Sequence, residues 1–321
     1  MAKIGDDISI AKKILEEGGL VGMPTETVYG LAGNAYDALA CANIFKVKGR
    51  PSFDPLIVHT NDVERIAEFA YLDNDKLSLL ADRFWPGPLT VILRRKQVIP
   101  DLVTSGLETV AVRIPNHPLA LSLLESLDFP LAAPSANPFG YISPTSAKHV
   151  NDQLGEKINY ILDGGHSKVG IESTIIDFES DIPKVLRLGG LEIEQIEEQI
   201  GEVEVNRHST SNPKAPGMLK SHYAPSKPVI LGDVEKLLLA NNDFNLSEVG
   251  ILTFTKVSDQ VPFDNQFIMS ESGSLPEAAS NLFKGLRELD SKPVKVIFAE
   301  MMPETGLGRA INDRLRRSAA K

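Results

Sequence analysis

Three short runs of the sequence concentrate side chains suited to an anion or an amino acid. The first is Lys46-Val47-Lys48-Gly49-Arg50-Pro51, where three cations close a helical stretch before a glycine–proline turn. Arg50 offers a planar fork to phosphate, and Lys48 a point charge. The same residues also suit a solvated helix end, where cations complement the dipole. The second run, Pro134-Ser135-Ala136-Asn137-Pro138, directly follows an apolar strand. Ser135 and Asn137 are phosphate hydrogen-bonders there, or turn formers beside proline. The third, Pro24-Thr25-Glu26-Thr27-Val28-Tyr29-Gly30-Leu31, again sets polar groups after a buried strand. A structural loop is the competing reading of that run.

Two single residues add to these runs. His59 ends the apolar run PLIVH, as a ligand or as a structural hydrogen-bonder. Arg113 lies inside VAVRI. A charge there is costly to bury unless paired, so it meets a carboxylate or faces water on an edge strand. Neither G-x-x-x-x-G-K-[ST] nor G-x-G-x-x-G occurs, so a nucleotide site must rest on other groups.

The elements that hold these residues follow from periodicity. Residues 8–17 read as a helix closed by Gly18-Gly19, and 20–24 as a buried strand. Asp37 caps a helix running to about Phe45. Further helices are expected at 62–70, 75–84 and 117–127, and strands at 55–59, 89–93, 110–114, 130–134, 159–163, 174–178 and 184–188. The sum is a mixed α/β sheet with helices packed on it. Residues 203–226 carry prolines and serines with little apolar periodicity, the signature of a linker without regular structure. Beyond it, strands are expected at 228–232, 249–254 and 294–300, and a closing helix at 307–319. A helix at 275–290 starts with a capping box, Ser274 and Glu277, and carries the apolar stripe Leu275, Ala278, Leu282, Phe283, Leu286 and Leu289. This second part reads as a small three-layer, Rossmann-like α/β domain. The chain therefore divides into 1–202, a linker at 203–226, and 227–321.

Composition sets outer bounds. With 321 residues and 42% hydrophobic content, two domains are expected. The net charge of −10 argues against a protein whose whole surface grips nucleic acid, so an anion site must be a local concentration of cations. The single cysteine, Cys41, excludes an intramolecular disulfide and a cysteine zinc site, and suits a reducing compartment. There is no apolar run of the roughly 18 residues that a membrane span needs, and no signal-peptide pattern at the start. A cytoplasmic protein without a membrane partner is expected.

In their order along the chain, PTETVYGL, KVKGRP with PLIVH after it, FWPGPLT, VAVRIP, APSAN, ISPT and IESTIID resemble the Sua5/YrdC/YciO family over about residues 8–190. APGMLKSHYAP and GLGRAINDRL resemble its longer Sua5 branch, so the likeness runs almost end to end. The combination is specific, although no single motif is. It implies a YrdC-like twisted open sheet with a basic concave face. It also implies the activity of the L-threonylcarbamoyladenylate synthases. These join L-threonine, bicarbonate and ATP and release pyrophosphate, for t6A modification of tRNA. The family's Lys-x-Arg and Ser-x-Asn signature falls on Lys48, Arg50, Ser135 and Asn137. Threonine contacts fall on Thr27, His59, Arg113, Ser173 and the backbone of Ala133. Nucleotide contacts fall on Arg50, Asp54, Thr109, Ser135, Ser143, Arg187 and Tyr223. Two departures stand out: Asp54 replaces the asparagine of the R-P-x-x-N-P pattern, and Leu219-Lys220-Ser221 replaces a more basic and aromatic stretch.

The resemblance also implies Mg²⁺ held mainly by ATP phosphates, no dedicated metal site, and product delivered to a tRNA threonylcarbamoyl transferase complex. A weak RNA contact is compatible with a basic face. The rival from another class is an RNA-binding module, which the net charge and the shortage of exposed aromatic motifs oppose. A hydrogenase-maturation carbamoyltransferase is the other enzyme reading, and its cysteine-rich zinc motifs are missing here. The specific motifs inside 203–226 suggest that the linker folds back over the first domain as a lid, with Tyr223 at the nucleotide. A solvated tether is the alternative.

Overall fold

The structure is a computed structural model that describes residues 1–206, 216 and 222–320. Along the chain, β1 (Lys3–Gly5), α1 (Ile8–Glu16), β2 (Val21–Met23), β3 (Gly30–Asn34), α2 (Ala38–Lys48) and β4 (Ile57–His59) come first. Then follow α3 (Val63–Phe69), α4 (Asp75–Phe84), β5 (Leu89–Arg94), α5 (Asp101–Thr104), β6 (Thr109–Arg113) and α6 (Pro118–Glu125). β7 (Leu131–Ala132), α7 (Ala147–Leu154), β8 (Tyr160–Leu162), β9 (Thr174–Asp177), β10 (Lys184–Arg187), α8 (Ile193–Ile200) and β11 (Glu204–Val205) complete the larger sheet and its helices. The remainder holds β12 (Val229–Leu231), α9 (Val234–Ala240), β13 (Val249–Thr253), β14 (Gln266–Ile268), α10 (Leu275–Ser291), β15 (Val296–Ala299) and α11 (Leu307–Ala319).

The chain forms two compact units: 1–139 with 144–168 and 172–219, and 140–143 with 169–171 and 220–321. In the first, eleven strands run in the order β1-β8-β2-β3-β7-β4-β6-β5-β9-β10-β11. Parallel and antiparallel pairings mix: β4 lies parallel to β6, while β5 lies antiparallel to β6. One face carries Val58, Val91, Val112, Ile176 and Val185 into a large core shared with α2, α3, α4 and α8. α1 and α6 cover a second core built on β2, β7 and β8. On the remaining strands, Ile57, Ile92, Ala111, Ile175 and Leu186 form a small cluster to which no described helix contributes.

Local chemistry explains most boundaries. Asp7, Asp37 and Asp62 cap α1, α2 and α3 by accepting from the backbone N–H two residues on. α2 continues past Phe45 to Lys48 and ends where Gly49 takes φ +65°, a left-handed conformation that glycine adopts without a Cβ penalty. The stretch after 202 starts with regular structure: β11 pairs parallel with β10, so the expected linker begins as a sheet edge.

The second unit is a sheet of order β12-β15-β13-β14 with its pairings all parallel. Val249 and Ile251 pack with Val234 and Leu238 of α9. Gly250 and Leu252 face the other way, close to Leu289 and Gly285 of α10. These are the three expected layers. Ser274 caps α10, accepting from the Glu277 N–H, but the reciprocal half of the expected capping box is missing. Glu277 Oε2 instead accepts from Ser270 and Ser272, at 2.5 and 2.7 Å, and Ser270 Oγ takes the Ser274 N–H. A nearby hydroxyl serves the same backbone donor from outside the helix.

Candidate active site

Alternation along the strands decides which side chains share a face. Ile57 and His59 do so in β4, Thr109, Ala111 and Arg113 in β6, and Thr90 and Ile92 in β5. Ser173, just ahead of β9, falls on the side of Ile175. The polar groups therefore border the small apolar cluster. A register shift between Val185 and Arg187 bulges β10 and brings Arg187 to Ser173.

The Arg113 side chain is the centre of one polar group. Its Nη1 donates to Thr27 Oγ1 at 2.8 Å, its Nη2 to Glu26 Oε1 at 2.6 Å, and its Nε to Gly87 O at 3.2 Å. Glu26 Oε2 accepts the Asn116 N–H at 3.0 Å. Arg113 and Glu26 are both buried, so the ion pair holds the guanidinium in one orientation. Thr25 Oγ1 sits 2.9 Å from Thr27 Oγ1 and donates to Val28 O, which fixes the Thr-Glu-Thr loop. His59, opposite Arg113 in the β4–β6 register, is held neutral. Burial pushes its pKa from 6.5 down to about 3, and the Arg113 charge adds to that. Ser173 Oγ lies 2.7 Å from Thr90 Oγ1, and Ala133 N–H donates to Ile57 O.

A second group gathers around the end of α2. Lys48 is buried and its ammonium donates to the carbonyls of Ser135 and Asn137, at 2.5 and 2.6 Å. The lysine thereby ties down the Ser-x-Asn loop. Burial first, and then the Arg50 charge, lowers the Lys48 pKa well below its ordinary value, while Asp54 opposes the shift. Arg50 donates from Nε to Asp54 O and from Nη2 to Pro55 O, at 2.9 and 2.8 Å. Arg50 Nη2 also lies 2.9 Å from Asp54 Oδ2 as an ion pair. That approach lacks hydrogen-bond alignment, and among the described residues neither Asp54 side-chain oxygen takes a hydrogen bond. Burial raises the Asp54 pKa, and the charges of Arg50, Lys48 and Arg187 pull it back. Thr109 opens β6 on the Arg113 face, with no hydrogen bond to these groups among the described residues.

Arg187 belongs to the first group, because it bonds Ser173 through its backbone oxygen and its hydroxyl. Its charge also acts on Asp54. Its Nη1 donates to Pro216 O at 3.1 Å. Ser143 and Tyr223 belong to the second unit. The Ser143 carbonyl accepts from Arg287 Nε. Tyr223 has φ +64°, its ring centroid is 5.4 Å from that of Phe283, and the Arg314 guanidinium lies 5.2 Å over it. Of the linker motif, Ala215 and residues 217–221 lie outside the described residues.

Sequence reasoning gave no role to Glu26 or Thr90. Glu26 stood inside the polar run, but its partner Arg113 is 87 residues away. Thr90 was the one hydroxyl in the apolar strand LTVIL, a signal that could have been read. Among the described residues no group of three or more His, Cys, Asp or Glu could hold a metal ion. Asp54, an oxygen donor without a hydrogen bond, is a group that fits a hard cation beside phosphates.

Residues 13–189 match the Sua5/YciO/YrdC family model, whose description is telomere recombination. Residues 191–320 match the model described as threonylcarbamoyl-AMP synthase, C-terminal domain. The chain belongs to the Sua5/YciO/YrdC family, in its two-domain Sua5 form. Members of this kind are nucleotidyltransferase-type enzymes, and so is this chain. It is 44% identical to threonylcarbamoyl-AMP synthase of Pyrococcus abyssi, over 97% of this chain and 94% of that one. Against the enzyme of the same name from Bacillus subtilis the figures are 41%, 97% and 92%. The crystal structure of P. abyssi Sua5 complexed with L-threonine superposes with a TM-score of 0.92 at 41% identity, covering 99% of this chain and 97% of that one.

Proposed function

We propose that the chain synthesises L-threonylcarbamoyladenylate from L-threonine, bicarbonate and ATP, releasing pyrophosphate, and that the product serves t6A modification of tRNA. The observation that carries this reading is the Arg187–Ser173 contact. It ties an arginine suited to phosphate, whose charge also reaches Asp54, to a residue suited to an amino acid. The relatives' name supports a threonylcarbamoyl-AMP product, and the threonine bound to P. abyssi Sua5 supports threonine as a substrate.

In this reading the threonine amine attacks the carbon of bicarbonate, and water leaves as the carbamate forms. A carbamate oxygen then attacks the α-phosphorus, and the bond to the β-phosphate oxygen breaks. No covalent enzyme intermediate is needed, so the protein positions groups and stabilises charge. Arg113, oriented by Glu26, holds the threonine carboxylate with Thr27 beside it. Neutral His59 and the Ser173–Thr90 pair offer uncharged polar partners. Arg50 and Arg187 face the phosphates, and Lys48 fixes the loop that presents Ser135 and Asn137. Mg²⁺ carried on the ATP would offset phosphate charge. The product is a reactive mixed anhydride, so a tRNA threonylcarbamoyl transferase complex must take it up. No described helix is long and apolar enough to cross a membrane.

The test is pyrophosphate release by the purified protein. Release should require both threonine and bicarbonate, with threonylcarbamoyl-AMP identified by mass. Release at full rate without bicarbonate would overturn the carbamate route. Serine, which lacks one methyl, should be a poorer substrate by about 10–200-fold.

A further inference from the structure

Asp54 is a carboxylate in a place that penalises charge. It is 0% exposed, and among the described residues neither side-chain oxygen takes a hydrogen bond. Buried carboxylates ordinarily collect N–H donors. Here the nearby aligned donors point elsewhere. Arg50 gives its N–H groups to the carbonyls of Asp54 and Pro55, and Lys48 gives its own to Ser135 and Asn137. What remains for the carboxylate is positive charge: the Arg50 ion pair at 2.9 Å, and the fields of Lys48 and Arg187. The site thus places a hard anionic oxygen donor among cations suited to phosphate.

Phosphoryl-transfer sites have this composition, with cationic side chains on phosphate oxygens and an aspartate on the metal. Mg²⁺ keeps several waters and takes one or two carboxylates plus substrate phosphates. Among the described residues no larger acidic or histidine group competes for it. Resting on the ATP reading above, we propose that Asp54 is a direct protein ligand of the divalent cation that accompanies the ATP phosphates. The asparagine of the related pattern supplies a neutral carbonyl at this position, so the aspartate makes nucleotide binding in this chain more strongly metal-dependent.

The experiment is a binding cycle on the full-length protein. A non-hydrolysable ATP analogue is titrated calorimetrically into wild type and Asp54→Asn, once with excess Mg²⁺ and once with EDTA. Mn²⁺ binding to each protein–analogue complex is followed in parallel by electron paramagnetic resonance. With Mg²⁺ present, Asp54→Asn should bind the analogue about 10-fold more weakly, the effect of losing one charge-assisted contact. In EDTA the variant should bind as well as wild type or better, because a negative charge beside the phosphates is gone. That arm also shows that the variant is folded. Mn²⁺ affinity of the variant complex should fall by a similar factor. Equal weakening in both arms would mean that Asp54 touches the nucleotide itself, and tighter binding in both would mean that it only balances charge. Either result overturns the proposal. No analogue binding by wild type in either arm would instead overturn the ATP reading.

Discussion

Arg187 grips Ser173 three times: Nε and Nη2 donate to its backbone oxygen at 3.0 and 2.9 Å, and Nη2 donates to its hydroxyl at 3.0 Å. A residue expected at the nucleotide therefore sets the position of one expected at threonine. Arg187→Lys keeps the charge but loses the planar fork. It should raise KM for ATP and for threonine together, whereas Ser173→Ala should act mainly on threonine. In a double-mutant cycle on threonine kcat/KM, the two should couple by about 0.5–3 kcal/mol. Strict additivity would show that the contact does not transmit position.

Much of this arrangement was legible because local rules agree with the fold. VAVRI and LTVIL are strands by residue type, and α10 follows its apolar stripe. β3 escaped notice because Gly30-Leu31-Ala32-Gly33-Asn34 has weak strand propensity. It is a strand because it pairs with β2 on one side and β7 on the other, and glycine fits where a Cβ on Gly33 would lie 2.8 Å from Leu20. The runs around Lys48, Ser135 and Thr27 were visible as chemistry, but what each side chain holds was not. Lys48 meets Ser135 across 87 residues, and no local pattern encodes such a pairing. Asp54 was visible as a charge out of place, and only its burial and missing hydrogen bonds gave that charge a physical meaning.

Glu26 and Arg113 form a buried pair whose oxygen and nitrogen are 2.6 Å apart. Removing one partner leaves a buried charge uncompensated, which costs about 3–5 kcal/mol. Glu26→Ala should therefore unfold at clearly lower denaturant concentration than wild type. Glu26→Gln keeps a hydrogen-bonding group and should lose less stability, while raising KM for threonine because Arg113 is held less firmly. A Glu26→Ala protein as stable as wild type would show that Arg113 finds another anion.

The depressed pKa of His59 makes a signed prediction. The folded value is about 3 against 6.5 for the ordinary group. Above pH 6.5 neither state carries the proton, and the full contribution of the buried neutral ring is present. Between those values the unfolded chain binds a proton that the folded chain refuses, so stability falls as pH falls. The slope from this one group is at most about 1.4 kcal/mol per pH unit. His59→Gln should flatten stability against pH, measured by urea unfolding from neutral pH to about 4. An identical slope in the variant would show that the folded ring takes up its proton in that range.

The stretch after α8 separates two structural roles that truncation can resolve. Val203 is buried, β11 pairs with β10 at Lys184 and Val185, and Asn206 N–H donates to Val185 O at 2.9 Å. A chain ending at residue 200 removes this edge from the strand that carries Arg187. A chain ending at residue 206 keeps it. The shorter chain should therefore melt at lower temperature than the longer one. Both lose Pro216, whose carbonyl accepts from the Arg187 guanidinium that also holds Ser173. The lid expected at 203–226 falls mostly outside the described residues, and Pro216 is a described point at which that stretch meets Arg187. Enclosure would keep water from the mixed anhydride proposed as the product. The chain ending at 206 should then stay cooperatively folded yet lose at least about 10-fold in turnover, the effect of one charge-assisted contact. In the full chain, ATP and threonine together should slow proteolytic cleavage within 207–226 more than either alone. Full-rate synthesis by the chain ending at 206, or cleavage indifferent to both substrates, would show that this stretch is a tether.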